Sequence, residues 1–437
     1  MSKGEPHGLG VTGGSAGQHR RAGQEYRPPG TEHSDRRRES LALTLRDADM
    51  QVLWLATVTY HLGLGMQQVL LGWVVLALTN SEGMVGVVFA VRSAPNLVVG
   101  FAAGALTDRY DRRRLMRLAA FGMAGVALVV AWLAYTEQLT VWHLLLCTAV
   151  LGMGQAFEMT ARQAYIVDTL GVHSAVQGIA LISLAQRSGG VLGSLVAGAT
   201  IVWWGVAAAF LGMGISYGMG ACLLYALRHQ GIVAPTRRES IRQNLVTYLR
   251  ALRTNQDVRS LIFSTAAAEL FGFSHQVMLP ILAKEVLQVG AGGLGVLTAL
   301  RFLGGVLGVG GLTVLSVMDR RGRMLLVVLG LFGAGQVALA CAPEFWLAAV
   351  CVIFINIMAA ATDVLHQTLL QVSVANDQRG RAMGSWIIGT GIAPVGHLEV
   401  GSLASLTSAH LTLLVNGLAL MILTLGMAVC IPRLWRL

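Results

Sequence analysis

The chain has 437 residues, of which 54% are hydrophobic and only 12% are Asp, Glu, Lys or Arg. That charged share is about half of what a soluble protein carries, which excludes a string of soluble domains, because they must cover their surfaces with charge. The charges are also unequal, 32 basic against 22 acidic for a formal net charge of +10, so the excess belongs to nucleic-acid binding, to an anionic membrane surface, or to the cytoplasmic loops of a membrane protein.

Residues 1–49 are rich in Gly, Arg and Glu, with Pro28-Pro29 and the run Arg36-Arg37-Arg38-Glu39. Mixed charge and few apolar residues predict a disordered cytoplasmic tail, and no signal-peptide pattern is present. From residue 50 onward, apolar runs alternate with short polar breaks. A membrane span needs roughly 20 apolar residues. Twelve are predicted, at about 51–78, 83–106, 114–135, 140–160, 176–201, 205–227, 260–283, 291–317, 324–341, 345–371, 383–404 and 409–431. The expected architecture is an all-α membrane protein of twelve transmembrane helices in two six-helix bundles, 50–228 and 260–437. The linker between them, 229–259, carries Arg242, Arg250, Arg253 and Arg259 among Leu245, Val246, Leu249 and Leu252. That pattern predicts an amphipathic basic helix on the inner membrane surface.

With a cytoplasmic N-terminus, 28 of the 32 basic residues fall in inner segments and Lys284 alone in an outer loop. This asymmetry places both termini in the cytoplasm of a multi-pass membrane protein. It also removes nucleic acid as a partner, because the basic residues alternate with spans and never form one patch. The five cysteines, Cys147, Cys222, Cys341, Cys351 and Cys430, lie in apolar stretches without metal spacing and read as buried small hydrophobes.

The two bundles repeat. HLGLGMQQV at 61–69 matches ELFGFSHQV at 269–277, GVVFAVR at 86–92 matches GVLTALR at 295–301, and Asp111-Arg112-Arg113 matches Asp319-Arg320-Arg321. Gln163 and Gly190 align with Gln367 and Pro394 at a slightly smaller offset. Such parallel repeats place a substrate site near the midplane between the halves.

The stretch Gly104-Ala105-Leu106-Thr107-Asp108-Arg109-Tyr110-Asp111-Arg112-Arg113-Arg114 resembles the signature loop of the major facilitator superfamily, with Asp111 where that pattern has Gly. Met278–Leu287 with Gly293-Leu294-Gly295, and Leu369-Leu370-Gln371 with Arg379–Gly384, resemble the bacterial efflux branch that holds enterobactin exporters and macrolide efflux proteins. The resemblance covers about residues 45–437. It implies the major facilitator fold and a conformational gate at Gly104, Asp108, Arg109, Arg112 and Arg113. The second copy of the loop, Asp319, Arg320 and Arg321, is degenerate, with Ser316 where Asp108 would repeat. The exporter-type glycine-proline motif of span five also departs from the pattern, with Gly190 in place of Pro.

A charge at the bilayer centre costs at least ~3 kcal/mol, so polar residues within spans need a reason. The repeat suggests two equivalent pairs, His61 with Arg92 and Glu269 with Arg301. Gln68 and Gln276 lie seven residues beyond His61 and Glu269, hence on the same helical faces. Glu269 is the first candidate for a proton-coupling carboxylate, and the alternative is a permanent structural pair with Arg301. Span ten carries Asn356, Asp363, His366 and Gln367; Asp363 is the second proton candidate, and an inner-gate hydrogen-bond network the other reading. Arg187 in span five is near the midplane, where it could meet an anionic substrate or neutralise a carboxylate. Glu158 and Arg162, at i and i+4, read as a local pair. The polar lining of the midplane cavity is therefore expected from His61, Gln68, Arg92, Arg187, Gln276, Arg301, Asn356 and His366. Trp142, His143, Trp203, Trp204 and Trp346 sit near outer ends as an aromatic belt.

No ATP-binding motif appears, and no spacing suits a metal, a cofactor or an enzymatic constellation. The expected function is export of an amphipathic small molecule such as a siderophore, a macrolide or another drug-like metabolite. Proton antiport and alternating access would drive it, in a monomer surrounded by lipid. The three midspan arginines lean toward an anionic or catecholate-like molecule. The alternative is a non-transporting sensor or lipid-handling protein on the same fold.

Overall fold

The computed structural model describes residues 47–107, 110–229, 253, 255–315, 320–374, 386 and 389–435. Residues 1–46 of the predicted tail, most of the predicted linker helix, Asp108, Arg109 and Asp319 lie outside the described residues, while the last tail residues, 47–49, are the cap and start of the first helix. The first half of the chain forms α1 (Ala48–Thr79), α2 (Glu82–Thr107) and α3 (Arg112–Tyr135), then α4 (Val141–Gly171) and the stretch Gln177–Ala226. The second half forms α7 (Gln256–Val286), α8 (Gly290–Leu315), α9 (Arg321–Ala340), α10 (Phe345–Val372), α11 (Ala393–Leu406) and α12 (Ala409–Cys430).

Two glycines divide what would otherwise be one 83-residue helix. Gly171 (φ 71°) separates α4 from the stretch after it, and Gly205 (φ 82°) divides that stretch into α5, 177–204, and α6, 206–226. Positive φ is cheap only without a Cβ, so both breaks fall at glycine. Nine stretches among the described residues are long and apolar enough to cross a membrane. Dividing one at Gly205 and adding α2 and the 14-residue α11 makes the described residues consistent with twelve.

Side-chain caps satisfy the free amides at several helix starts. Asp47 accepts from Met50 N at 2.9 Å, Asn255 from Asp257 N at 2.9 Å, and Ser408 from Leu411 N at 3.2 Å. Asp111 accepts from Arg113 N at 2.9 Å at the start of α3. Its φ of −55° needs no glycine, so the departure from the superfamily pattern supplies a cap where Gly would supply none. His143 pairs with Thr140 in a capping box at the start of α4, a local role within the predicted belt. Trp142, Trp203, Trp204 and Trp346 are all exposed at that same end of the bundle.

The repeat is visible in the packing. Gly193 of α5 lies against Leu62 of α1, and Gly396 of α11, one residue before the matching position, lies against Leu270 of α7. The halves meet through a second related pair. A Cβ on Gly86 of α2 would come within 2.7 Å of Gly401 Cα in α11, and one on Gly295 of α8 within 2.9 Å of Gly198 Cα in α5. Small residues let helix backbones approach where lipid offers no hydrophobic drive for association. These cross-half contacts run from the end bearing the α1–α2 and α7–α8 turns down to the middle of the bundle. At that end Lys284 Nζ donates to Leu76 O at 3.1 Å and to Asn80 Oδ1 at 2.9 Å, tying α7 to the end of α1.

The cysteine expectation is corrected. Cys351 is buried, whereas Cys222, Cys341 and Cys430 are exposed and Cys147 is half-buried. In a membrane helix an apolar run faces lipid as readily as protein, so hydrophobic surroundings in sequence do not imply a packed core.

Candidate functional site

A cavity of about 460 Å³ opens between the halves, lined by Arg187 of α5, Phe273 and Gln276 of α7, Arg301, Phe302 and Gly305 of α8, and Asn356 and Asp363 of α10. A smaller hollow of about 210 Å³ shares Gln276 and Arg301 and adds Gln68 and Phe89. Of the predicted lining residues, Arg187, Gln276, Arg301, Asn356 and the carboxylate Asp363 thus come together, with Gln68 adjoining. Asn356 and Asp363 are two turns apart on the unbroken α10 and share a face as their spacing requires. The missing side chain of Gly305 leaves room for the Arg187 guanidinium, and the charges of Arg187 and Asp363 reach each other.

Arg301 donates to Gln68 Oε1 across the halves, and its guanidinium carbon lies 4.7 Å from the Phe302 ring centroid. The predicted Glu269–Arg301 ion pair does not form. Glu269 is half-buried, and the charge that acts on it is that of Asp363. The cause lies in α7, whose α-helix stops at Phe271 and resumes at His275 after the 3-10 turn Gly272–Ser274. Seven residues no longer return to one face across that break, so Gln276 faces the cavity without Glu269. The break has its own partners. Phe332 packs on Gly272, Gln336 Nε2 donates to the Phe271 carbonyl at 3.1 Å, and Ser274 bonds both Phe271 O and Gln336. His275, next to the break, bonds Gly272 O at 3.1 Å and Asn356 Nδ2 at 3.3 Å.

The predicted His61–Arg92 pair is replaced as well. His61 Nδ1 lies 3.1 Å from Thr57 O and 3.4 Å from Arg162 Nη1. Arg162 forms a buried ion pair with Glu158, as expected, and stands over the Tyr60 ring at 5.1 Å. Arg92 instead donates to Gln155 Oε1 at 3.4 Å. The repartnering follows from α4, which brings Gln155, Glu158 and Arg162 along one face onto α1 and α2. Tyr217 donates to Gln67 Oε1 at 2.6 Å beneath this cluster. His366 does not line the cavity; it is buried 2.7 Å from Ser264 Oγ.

Sequence reasoning missed Phe273, Phe302 and Gly305 in the cavity wall, and His275 and Gln67 beside it. The repeat carried a signal for the last two, since Gln67 and His275 are equivalent positions. Gly190, which departs from the exporter motif, also gains a reason: a Cβ there would lie 2.6 Å from the Phe302 ring. A larger apolar hollow of about 660 Å³ between α3 and α4, walled by Leu118, Val150, Met153 and Phe157, is on the outer face of the bundle and suits acyl chains rather than polar chemistry. Among the described residues no group of three His, Cys, Asp or Glu side chains is placed to hold a metal ion.

The gate predicted at the signature loop is described in part. Gly104 lies in α2, Arg112 forms an ion pair with Asp168 of α4, and Arg113 forms one with Asp111 at 3.1 Å. Arg113 also donates to Leu227 O at 3.1 Å, so α3 is tied at this end both to α4 and to the end of the sixth helix. In the second copy, Arg320 precedes α9 without a capping bond and Arg321 begins it.

A family model described as transmembrane secretion effector matches residues 40–435. The chain belongs to that family, within the major facilitator superfamily. Among relatives of this secretion effector, a staphyloferrin A transporter of Staphylococcus aureus (strain NCTC 8325 / PS 47) is 21% identical, covering 83% of this chain and 91% of its own. The multidrug efflux pump Tap of Mycolicibacterium fortuitum is 27% identical, covering 87% and 94%. A crystal structure of a POT family transporter in complex with 5-aminolevulinic acid superposes with a TM-score of 0.75 at 10% identity, covering 88% of this chain and 96% of that one. The fold is therefore that of the major facilitator superfamily, and the secretion effector is an efflux-type, multi-pass membrane transporter.

Proposed function

We propose that the protein is a secondary active transporter of the bacterial cytoplasmic membrane that exports an amphipathic small molecule by proton antiport. The observation that carries this is a polar cavity between two pseudo-symmetric bundles that touch at one end. With the arginine-rich loops in the cytoplasm, both termini are cytoplasmic, the closed end faces outward and the cavity is reached from inside. Export then needs the halves to rock about the cavity, parting Gly86 from Gly401, Gly198 from Gly295 and Lys284 from Asn80. The substrate class follows the relatives, one named for staphyloferrin A and one for multidrug efflux. A siderophore, macrolide or similar metabolite is the substrate class of this reading, entering as the cavity widens between the halves.

Asp363 is the leading proton site in this reading, and Glu269 the second. Asp363 faces Arg187 in the cavity and its charge reaches Glu269. Both are carboxyls within the membrane at or near the cavity, where an ionisable side chain is a functional candidate by default. Opening of the cavity to the other side changes their solvation and lets the proton leave. The signature loop, with Arg112 on Asp168, serves as the inner gate. The N-terminal tail, the linker helix on the membrane surface and the monomeric state complete the proposal.

Flux of a catecholate siderophore and of a macrolide into inside-out vesicles tests it. Accumulation should require a proton gradient, collapse with an uncoupler, and fall to the no-gradient rate in Asp363→Asn. Glu269→Gln retaining full proton-driven flux would remove Glu269 from the coupling role. Binding of either compound without flux sinks export and leaves a sensor.

A further inference from the structure

Arg301 is a buried charge without a described counter-charge. It is 8% exposed, and among the described residues its Nε has no hydrogen-bond acceptor and its side chain is hydrogen-bonded to the neutral amide of Gln68. Among the described residues no carboxylate lies within ion-pair distance of it. The charges that reach it are those of Arg92 and Arg187, both repulsive. The other two arginines have further groups in reach, although the Nε of Arg92 also lacks a hydrogen-bond acceptor among the described residues. Arg187 has Asp363, and Arg92 has Gln155 with the Tyr60 and Tyr217 hydroxyls nearby. A buried guanidinium without a counter-charge is strongly unfavourable, and this one forms part of the wall of the transport cavity.

We propose that Arg301 is the recognition residue for an anionic group on the exported molecule, a carboxylate or an acidic catechol, which completes the ion pair that the protein leaves open. The inference rests on the export reading and narrows its substrate class. The planar guanidinium suits bidentate contact with such a group. Phe273 and Phe302 offer flat apolar surface for the rest of the molecule, while Gln276 and Asn356 supply polar contacts. The same arrangement explains why Gln68 rather than a glutamate faces Arg301. A protein carboxylate would neutralise the guanidinium permanently and remove the preference for a charged ligand.

The test compares 2,3-dihydroxybenzoate with its uncharged analogue 2,3-dihydroxybenzamide, and with the cation ethidium. Binding is measured on the full-length protein in nanodiscs, and flux in inside-out vesicles under a proton gradient. The wild type should prefer the carboxylate over the amide by at least about tenfold in both. Arg301→Gln should bring that ratio close to one, and Arg301→Lys should retain part of it. Because the readout is a ratio within each variant, lowered expression does not mimic the result. Preference for the amide or for ethidium in the wild type overturns the anion assignment while flux upholds export. An unchanged carboxylate preference in Arg301→Gln overturns the role of this residue. Carboxylate binding without flux supports the anion site and overturns export, and neither binding nor flux of any of the three overturns the proposal.

Discussion

The equivalent regions of the two halves treat buried charge differently. In the first half α1 is continuous, and its polar residues are held from within: Glu158 pairs with Arg162, Arg162 reaches His61, and Gln155 accepts from Arg92. In the second half α7 breaks at Gly272–Ser274, Glu269 loses the face shared with Gln276, and Arg301 turns to the other half for a neutral partner. One copy of the repeat ties its buried charges to groups of its own half, and the other turns them toward a cavity. The break in α7 falls where irregular backbone is tolerated in a membrane protein, beside a cavity.

The strongest way to break this comparison is through its acids. Glu158→Gln leaves Arg162 buried without its partner, at a cost of about 3–5 kcal/mol. Glu269→Gln breaks no ion pair and should cost less than about 1 kcal/mol. Chemical unfolding in mixed micelles measures both, and equal costs would erase the distinction between the halves. A smaller effect tests their contact. Gly190→Ala drives a methyl group into the Phe302 ring and should cost about 1–3 kcal/mol. Phe302→Ala in the same chain should relieve most of it, and additive costs in that double-mutant cycle would mean the two residues do not meet.

A further modest effect lies outside the membrane, at the start of α3. Asp111→Ala removes a helix cap worth about 1 kcal/mol, read as a lowered melting temperature. Partial burial pushes the Asp111 carboxyl upward, but the hydrogen bonds and charge of Arg113, with the charge of Arg117, outweigh it and hold the group below the usual carboxylate range. A depressed pKa contributes stability above the unfolded value, near pH 4, and that contribution is lost as pH falls through the lower folded value. The difference in melting temperature between wild type and Asp111→Ala should therefore shrink on acidification below about pH 4. A constant difference down to pH 2 would show that the cap does not depend on the charged carboxylate.

Much of the architecture was legible in the residues alone, because a bilayer imposes local rules. A span must be apolar over its whole length, so composition reveals it, and a duplicated unit keeps its spacing, so the stretches 86–92 and 295–301 are recognisable as equivalent in the residues. The Glu158–Arg162 pair and the Asn356–Asp363 stripe were also readable, since each lies on one unbroken helix with fixed periodicity. The pairings His61–Arg92 and Glu269–Arg301 were not. They assumed that adjacent helices in sequence supply each other's partners, whereas α4 reaches His61 and Arg92 first and the 3-10 turn in α7 turns Glu269 away.

Span number, the repeat and the asymmetry of basic residues are set by the order of amino acids, because hydropathy and periodicity act over neighbouring residues. Which arginine meets a carboxylate, which meets only an amide, and which glycine must stay bare beneath Phe302 were decided by how the helices cross. Those contacts join residues up to 233 positions apart, as Gln68 and Arg301 are. Their energies depend on distances of a few ångströms that only the packed bundle defines.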